Sequence, residues 1–169
     1  VYSSHVSGDM GDAAGFGWSV DGLKFDWPTL VANKDAEIGR LNGLYKQMLS
    51  NSNVDLFESR GVLKDVHTID LGDRQIRADK ILISTGGWPV MPDIPGIEHA
   101  ISSNEAFHLE HLPKRIVIVG GGYISVEFSG IFNGLGSVVT QLYRSQQILR
   151  GFDWDIRNAV AEEMRKKGI

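Results

Sequence analysis

The feature that most constrains the fold is an apolar run, residues 116–119, that leads directly into three glycines, residues 120–122. A continuous run of Ile and Val is expected for a strand buried on both faces of a parallel sheet. A second strand pattern follows at 138–143. Between the two, apolar residues recur on one helical face, at Ile124, Phe128, Ile131, Phe132 and Leu135. The order of strand, glycine turn, helix and strand predicts a Rossmann-type βαβ unit.

The chain upstream of this unit predicts one long helix and a β-meander. Residues 1–25 are punctuated by glycine and are predicted to form a loop. Asp26 as N-cap and Pro28 in the first turn predict the start of an amphipathic helix over about residues 27–50. Short strand patterns then predict the meander, at residues 54–57, 61–63, 67–71, 75–77 and 80–84.

Proline and glycine suggest where the domains divide. Residues 88–113 hold four of the five prolines and one short helical pattern at 104–109, which is typical of a crossing between domains. We therefore expect an α/β protein with a first domain at 1–88, a connection at 89–113 and a partial Rossmann-type nucleotide-binding domain at 114–169. A last helix begins near Asp153, and the chain is expected to be an internal fragment because the α/β pattern stops unfinished.

Composition excludes several kinds of site. The chain has no cysteine, so it has no disulfide, thiolate metal site or cysteine nucleophile of its own. His108 and His111 lack a third ligand at suggestive spacing, and no metal is expected. A net charge of -4 with interspersed signs gives no basic stripe, which argues against nucleic acid as a partner. No apolar run approaches the length of a membrane span.

The glycine turn carries a dinucleotide-binding pattern, G-x-G-x-x-S, over residues 120–125. Gly120 permits the tight turn, Gly122 lets a pyrophosphate approach the backbone, and the helix that follows presents free N–H groups. Ser125 stands where Gly or Ala is usual, which loosens the match. The competing interpretation is a strand-to-helix turn without a ligand.

The end of the second strand indicates which nucleotide binds. NAD enzymes place an acidic residue there, about 20 residues after the glycines, to bind the ribose 2′-hydroxyl. This chain has Arg144 instead, with Arg150 shortly after it. Guanidinium groups pair with a 2′-phosphate that would repel a carboxylate, so NADP is favoured over NAD. The alternative is that both arginines are solvated surface cations.

The combination of these segments resembles glutathione reductases, which are FAD- and NADPH-dependent disulfide reductases. The likeness covers nearly the whole chain and is weakest over residues 1–25. The NADPH-binding part is resembled by residues 120–136, 142–144 and 148–153. Residues 83–89 and 92–96 resemble the end of the first FAD-binding part and the start of the link to the NADPH domain. Residues 40–45 resemble a helix that covers the adenosine side of the flavin.

The resemblance implies roles for individual residues around NADPH. Tyr123 matches a tyrosine that lies over the flavin and moves aside when NADPH enters, and Glu127 matches a glutamate that holds the nicotinamide carboxamide. Gly121 and Ile124 match backbone contacts to NADPH. Ser125 departs from the alanine usual in these enzymes. From the residues alone, Glu127 is equally a carboxylate favoured near a helix N-terminus.

The resemblance also implies that residues 1–88 are a partial FAD-binding domain, with an FAD site at Tyr45, the Gly61 backbone, Thr85 and Gly86. Tyr45 alone would more often be a core residue on a helix face. The implied reaction passes hydride from NADPH through FAD and a cysteine pair to glutathione disulfide. The cysteine pair and the family's His/Glu dyad have no counterpart here, so the catalytic residues are expected outside this chain.

The resemblance implies that the intact protein is a cytoplasmic homodimer that serves redox homeostasis. Related reductases acting on trypanothione, mercuric ion or lipoamide remain alternatives; the lipoamide enzymes use NAD, against which Arg144 and Arg150 argue. A non-catalytic NADP-binding module is an alternative from a different class, and the absence of cysteine is compatible with it.

Overall fold

The computed structural model describes residues 1–19 and 22–169. The chain divides into two compact units, one formed by Val1–Val31 with Ser103–Ile169 and the other by Ala32–Ser102. The helices are α1 (Tyr2–Asp12), α2 (Trp27–Asn51), α3 (Ser103–Ala106), α4 (Tyr123–Gly134) and α5 (Trp154–Lys166), with short 3₁₀ helices at Ala13–Phe16 and Ile97–His99. The strands are β1 (Val62–Asp65), β2 (Thr68–Asp70), β3 (Gln75–Arg77), β4 (Arg115–Val119) and β5 (Val138–Leu142).

The predicted α/β class and the βαβ unit are confirmed. Strands β4 and β5 pair in parallel, from Arg115 opposite Val138 to Val119 opposite Leu142, with α4 between them in sequence. The register therefore places Gly120, directly after β4, opposite Tyr143, directly after β5. This alignment places the glycine turn and the loop after β5 at the same edge of the sheet, where parallel α/β sheets bind ligands.

The core of the first unit lies between α4, β5 and the start of α2. Trp27, Phe132, Leu135 and Val139 are its buried members. The rings of Trp27 and Phe132 stack with centroids 5.9 Å apart. Trp27 also donates from its indole nitrogen to the Leu109 carbonyl oxygen at 2.7 Å, so its polar atom is satisfied.

Aspartates begin two of the helices, as predicted. The Asp26 carboxylate accepts a hydrogen bond from the Thr29 backbone N–H at 2.8 Å, and α2 follows. Hydrogen bonds from the Thr29 side chain and backbone hold the pKa of Asp26 below its usual value. Asp153 caps α5 by accepting from the N–H of Asp155 at 2.9 Å. In both places the aspartate carboxylate accepts from a first-turn backbone N–H that has no partner within the helix.

The prediction of a loop over residues 1–25 is wrong for residues 2–16, which form α1 and a 3₁₀ helix. Residues 17–19 and 22–25 are irregular as predicted, and residues 20 and 21 lie outside the described part of the chain. Glycine disfavours helix in isolation, but α1 packs on α4. A Cβ on Gly134 would lie only 2.6 Å from the Cβ of Ser4, so the two helices meet at very small residues. This tertiary contact, invisible in the local pattern, outweighs the low helix propensity.

The prediction that β4 is buried on both faces is also wrong. Ile116 and Ile118 are half-buried, whereas Val117 and Val119 are exposed, Val119 by 79%. Alternation of this kind shows that only the face toward α4 is covered within the described part of the chain.

The second unit contains the predicted meander, in which β1, β2 and β3 pair antiparallel in that order. A tight turn follows β2, in which the Leu71 N–H donates to the Arg74 carbonyl at 2.9 Å. Asp70 supports the turn by accepting from the Gly72 N–H at 2.9 Å. In the first unit, the helical pattern predicted at 104–109 appears as the shorter α3.

Two further strands predicted in this unit, at 54–57 and 80–84, are not formed. Both segments are apolar, but Leu82 is 87% exposed and neither segment pairs with a described strand. A strand is stabilised by its neighbour more than by its own composition, so an apolar run without a partner stays irregular.

Candidate functional site

The glycine turn is held in one conformation by contacts on both sides. The Gly120 N–H donates to the Leu142 carbonyl at 2.9 Å, which extends the β4–β5 pairing by one residue. Gly120 has φ of 145°, and a Cβ there would overlap the hydroxyl oxygen of Ser125. Only glycine fits this position. Ser125 is therefore small enough to let α4 pack closely on the turn, despite its departure from the usual Gly or Ala.

The start of α4 offers backbone donors to an anion. Gly122 is the N-cap residue in extended conformation, and no side chain caps the helix. A Cβ on Gly122 would meet nothing within 4 Å, so the space beside the turn is open. Unsatisfied N–H groups and the positive end of the helix dipole face this space, which fits a phosphate or pyrophosphate group.

Tyr143 packs against the middle glycine, a contact that sequence reasoning missed. A Cβ on Gly121 would lie 2.6 Å from carbon atoms of the Tyr143 ring, and Gly121 is buried. Glycine at this position is thus required by an aromatic residue 22 positions later in the chain. The register of β4 on β5 brings the two together, so local sequence carries no signal for the pair.

A polar relay behind the turn was also missed. Gln141 donates from Nε2 to the Gly120 carbonyl at 2.9 Å. The hydroxyl of Ser129, fully buried in α4, donates to the Ser125 carbonyl at 2.8 Å and lies 3.3 Å from Gln141 Oε1. Because a trans peptide sends its C=O and N–H in opposite directions, this bond aims the Gly121 N–H away from the relay. A glutamine on the same face of β5 as buried Val139 is the signal that could have revealed it.

The loop after β5 is attached to the glycine turn. Leu149 donates its N–H to the Gly121 carbonyl at 2.5 Å, and its side chain is buried. Arg150 follows directly, and Arg144 lies two residues after the end of β5. Both arginines are exposed, and neither has an ion-pair partner among the described residues. The structure therefore places two free cations beside the predicted anion site.

The first two turns of α4 present the other predicted nucleotide ligands. Tyr123 begins the helix, and Glu127 follows one turn later; both are exposed. Ile124 is exposed as well. Residues four apart lie on the same helix face, so Tyr123 and Glu127 point to one side. The residues predicted to bind NADPH thus lie on the glycine turn, at the start of α4 and after β5, all within the first unit.

The residues predicted to bind FAD all lie in the second unit. Tyr45, Gly61, Thr85 and Gly86 are exposed positions of the second unit, and no hydrogen bond or ring contact between them occurs within the described residues. Tyr45 is 60% exposed, so it is not a core residue of its helix in this structure. Their shared role stays a prediction.

Two kinds of site are absent from the part of the chain that the structure describes. Residues 1–19 and 22–169 contain no group of three side chains arranged to hold a metal ion. None of their helices is both long and apolar enough to cross a membrane.

Comparison with known proteins gives consistent matches. The family model "Pyridine nucleotide-disulphide oxidoreductase" matches residues 4–169. A glutathione reductase of Nostoc sp. is 47% identical over 169 residues, which cover 100% of this chain and 37% of that protein. A trypanothione reductase of Trypanosoma congolense is 43% identical over 184 residues, covering 100% of this chain and 37% of that protein.

A solved structure matches in fold as well. The HOCl-induced flavoprotein disulfide reductase RclA from Escherichia coli superposes with a TM-score of 0.77 at 30% identity, covering 85% of this chain and 34% of that one. The chain thus spans somewhat more than a third of the length of the curated relatives named above.

Proposed function

Because the chain belongs to the pyridine nucleotide-disulphide oxidoreductase family, we propose that it supplies the NADPH-binding part of a glutathione-disulfide reductase. The observation that carries this proposal is the pair of unpartnered arginines beside a glycine turn built for a pyrophosphate. FAD, when bound, would be held near Tyr45, Gly61, Thr85 and Gly86 and would supply the redox chemistry between NADPH and a dithiol. The residues of this chain bind and orient the nucleotide.

In this proposal the turn and the start of α4 hold the pyrophosphate. Gly122 leaves room for the phosphates to approach the backbone, and the relay from Gln141 keeps the turn in shape. Tyr123 and Glu127, on one face of α4, meet the nicotinamide end. Ile124 and Gly121 contribute backbone contacts.

Arg144 and Arg150 bind the 2′-phosphate that distinguishes NADPH from NADH. Both are solvent-exposed with no competing carboxylate among the described residues, so binding a phosphate breaks no ion pair. Charge-assisted bonds from guanidinium to phosphate are strong and directional. The bond from Leu149 to the glycine turn keeps the loop that carries Arg150 close to the nucleotide.

The remaining assignments extend to the whole protein. Residues 1–88 belong to the FAD-binding domain, with Tyr45, Gly61, Thr85 and Gly86 near the cofactor, 89–113 form the connection and 114–169 belong to the NADPH domain. The compact units divide the chain elsewhere because α1 and the first turn of α2 pack with the βαβ unit. The full-length protein acts as a cytoplasmic homodimer in redox homeostasis.

Glutathione disulfide is the proposed substrate, and the identities to glutathione reductases support it. Trypanothione disulfide is the second candidate, because a trypanothione reductase is 43% identical over the same residues. NADPH oxidation by the full-length protein, assayed separately with glutathione disulfide, trypanothione disulfide, mercuric ion and lipoamide, tests the choice. Turnover with trypanothione disulfide alone would replace the proposed substrate, and no turnover with any acceptor would favour a non-catalytic module.

Changing Glu127 to Gln in the full-length protein should slow reduction of FAD by NADPH about five- to thirtyfold, the effect of losing ~1–2 kcal/mol from a charged hydrogen bond. The FAD content should stay normal, because the proposed contact is with nicotinamide. Stopped-flow absorbance of the flavin measures the rate, and Glu162→Gln, an exposed carboxylate late in α5, is the matched control. Loss of FAD with an unchanged reduction rate would show that the role is wrongly assigned.

A further inference from the structure

Arg157, on the first turns of α5, uses its side chain on the loop after β5. Its Nε donates to the Ile148 carbonyl at 2.7 Å, and its Nη2 donates to the Gln147 carbonyl at 2.8 Å. The guanidinium also lies 4.9 Å from the centre of the Trp154 ring. Arg157 is half-buried. We call this contact the brace, because Arg157 binds the backbone of residues 147 and 148 through both Nε and Nη2.

The neighbouring residue on α5 strengthens the same brace. Asn158 accepts a hydrogen bond from Gln147 Nε2 at 2.8 Å, while Gln147 Oε1 accepts from the Ile148 N–H at 3.1 Å. Residues 147 and 148 are therefore bound to α5 through both backbone and side-chain atoms. The fixed fork of a guanidinium suits two adjacent carbonyls, whereas a lysine ammonium presents a single point.

The next residue of the loop needs this support. Leu149 has φ of 57°, a left-handed conformation that is unfavourable for a bulky side chain. Its side chain is only 7% exposed, and its N–H is bonded to the Gly121 carbonyl. A strained residue persists only where its surroundings determine it, and here the surroundings are the Arg157 brace on one side and the glycine turn on the other.

The two proposed phosphate ligands depend on this brace to different degrees. Arg150 follows Leu149 directly, so the strained, braced segment sets where its backbone lies. Arg144 lies just after β5, whose position is set by pairing with β4. Loosening residues 147–149 should displace Arg150 and leave Arg144 in place.

We propose that Arg157 is a positioning residue for nucleotide selectivity. It holds residues 147–149 so that Arg150 meets the 2′-phosphate, and Arg157 itself does not contact the nucleotide. The inference rests on the proposed function, since it assumes that Arg150 binds the 2′-phosphate. A residue that merely stabilised the unit would change binding of NADPH and NADH alike, whereas a positioning residue changes their ratio.

The test is Arg157→Lys in the full-length protein loaded with FAD, with kcat/KM measured for NADPH and NADH. The NADPH/NADH ratio should fall on the order of tenfold, mainly through a higher KM for NADPH. Arg165→Lys, an exposed arginine near the other end of α5, is the matched control and should keep the ratio. An unchanged ratio in Arg157→Lys, or an equal loss for both nucleotides, overturns the proposal.

Combined variants separate this inference from the function on which it rests. In an Arg150→Leu background, Arg157→Lys should cause no further fall in the ratio, whereas in an Arg144→Met background it should lower the ratio as in the parent. If Arg150→Leu alone leaves the ratio unchanged, the phosphate assignment fails and the brace with it. If Arg150→Leu lowers the ratio but Arg157→Lys does not, only the brace is wrong.

A milder variant covers the case in which Arg157→Lys does not fold. Asn158→Ala removes the bond to Gln147 and should lower the NADPH/NADH ratio in the same direction, by about two- to threefold. Normal FAD content and an unchanged melting temperature show that this variant is folded. A folded Asn158→Ala protein with the parent ratio would count against the brace.

Discussion

Replacing Arg144 with Met and Arg150 with Leu together should lower kcat/KM for NADPH by roughly two to four orders of magnitude, because each contact to a partly desolvated phosphate contributes about 1.5–3 kcal/mol. The value for NADH should change little, since NADH has no 2′-phosphate. Both side chains are exposed and make no ion pair within the described residues, so their removal should not disturb the fold. Steady-state kinetics with both nucleotides measures the effect.

The matched control for this variant is Arg165→Met, which removes an exposed positive charge near the far end of α5. It should leave the NADPH/NADH ratio unchanged, apart from the small effect of net charge on association. If the double variant kept the parent ratio, Arg144 and Arg150 would be ordinary surface cations, and the choice of NADP would lose its physical support.

Adding Tyr143→Glu to the double variant should then favour NADH, because a carboxylate accepts the free 2′-hydroxyl and repels a phosphate. The structure adds a second consequence. The Tyr143 ring packs on Gly121, so its loss should also lower the melting temperature. A triple variant that still preferred NADPH would show that the end of β5 does not meet the ribose.

The second large effect concerns the 169-residue chain by itself, which should give no NADPH oxidation dependent on glutathione disulfide. Passing electrons to a disulfide in this family's chemistry requires a dithiol that exchanges with it. No residue of this chain is cysteine. NADPH oxidation dependent on glutathione disulfide should therefore be absent and not merely slower. The change in NADPH absorbance at saturating glutathione disulfide measures it.

An artificial electron acceptor such as ferricyanide provides the control for that experiment. Ferricyanide takes electrons from reduced flavin directly, so it reports nucleotide and FAD binding without a dithiol. Turnover of glutathione disulfide above the protein-free rate would contradict the proposed electron path.

Local sequence predicted the elements whose causes are local. The cap at Asp26 and the long apolar pattern after it predicted α2, and the order of strand, glycines and helix predicted the βαβ unit. Helix α1 was missed because its stability comes from packing on α4, where Ser4 meets Gly134. The strands predicted at 54–57 and 80–84 failed because β structure needs a partner, and no described strand lies beside them.

The residues of the candidate site also divide into those predictable from local sequence and those that depend on tertiary contacts. The glycine turn and Arg144 lie in recognisable spacing, so sequence alone predicted them. Gln141, Tyr143 and Arg157 act through contacts across the sheet or from the next helix. Glutamine on the buried face of β5 was a readable signal, but only the fold shows that its partner is the Gly120 carbonyl.

Equilibrium binding tests most directly the central claim that the glycine turn with Arg144 and Arg150 selects a 2′-phosphorylated nucleotide. Isothermal titration calorimetry of the full-length protein with 2′,5′-ADP and with 5′-ADP isolates the phosphate from all redox steps. We predict that 2′,5′-ADP binds at least about a hundredfold more tightly, as expected for two charge-assisted contacts, and that the double arginine variant abolishes the difference. Equal affinities for the two nucleotides in the parent protein would contradict the claim.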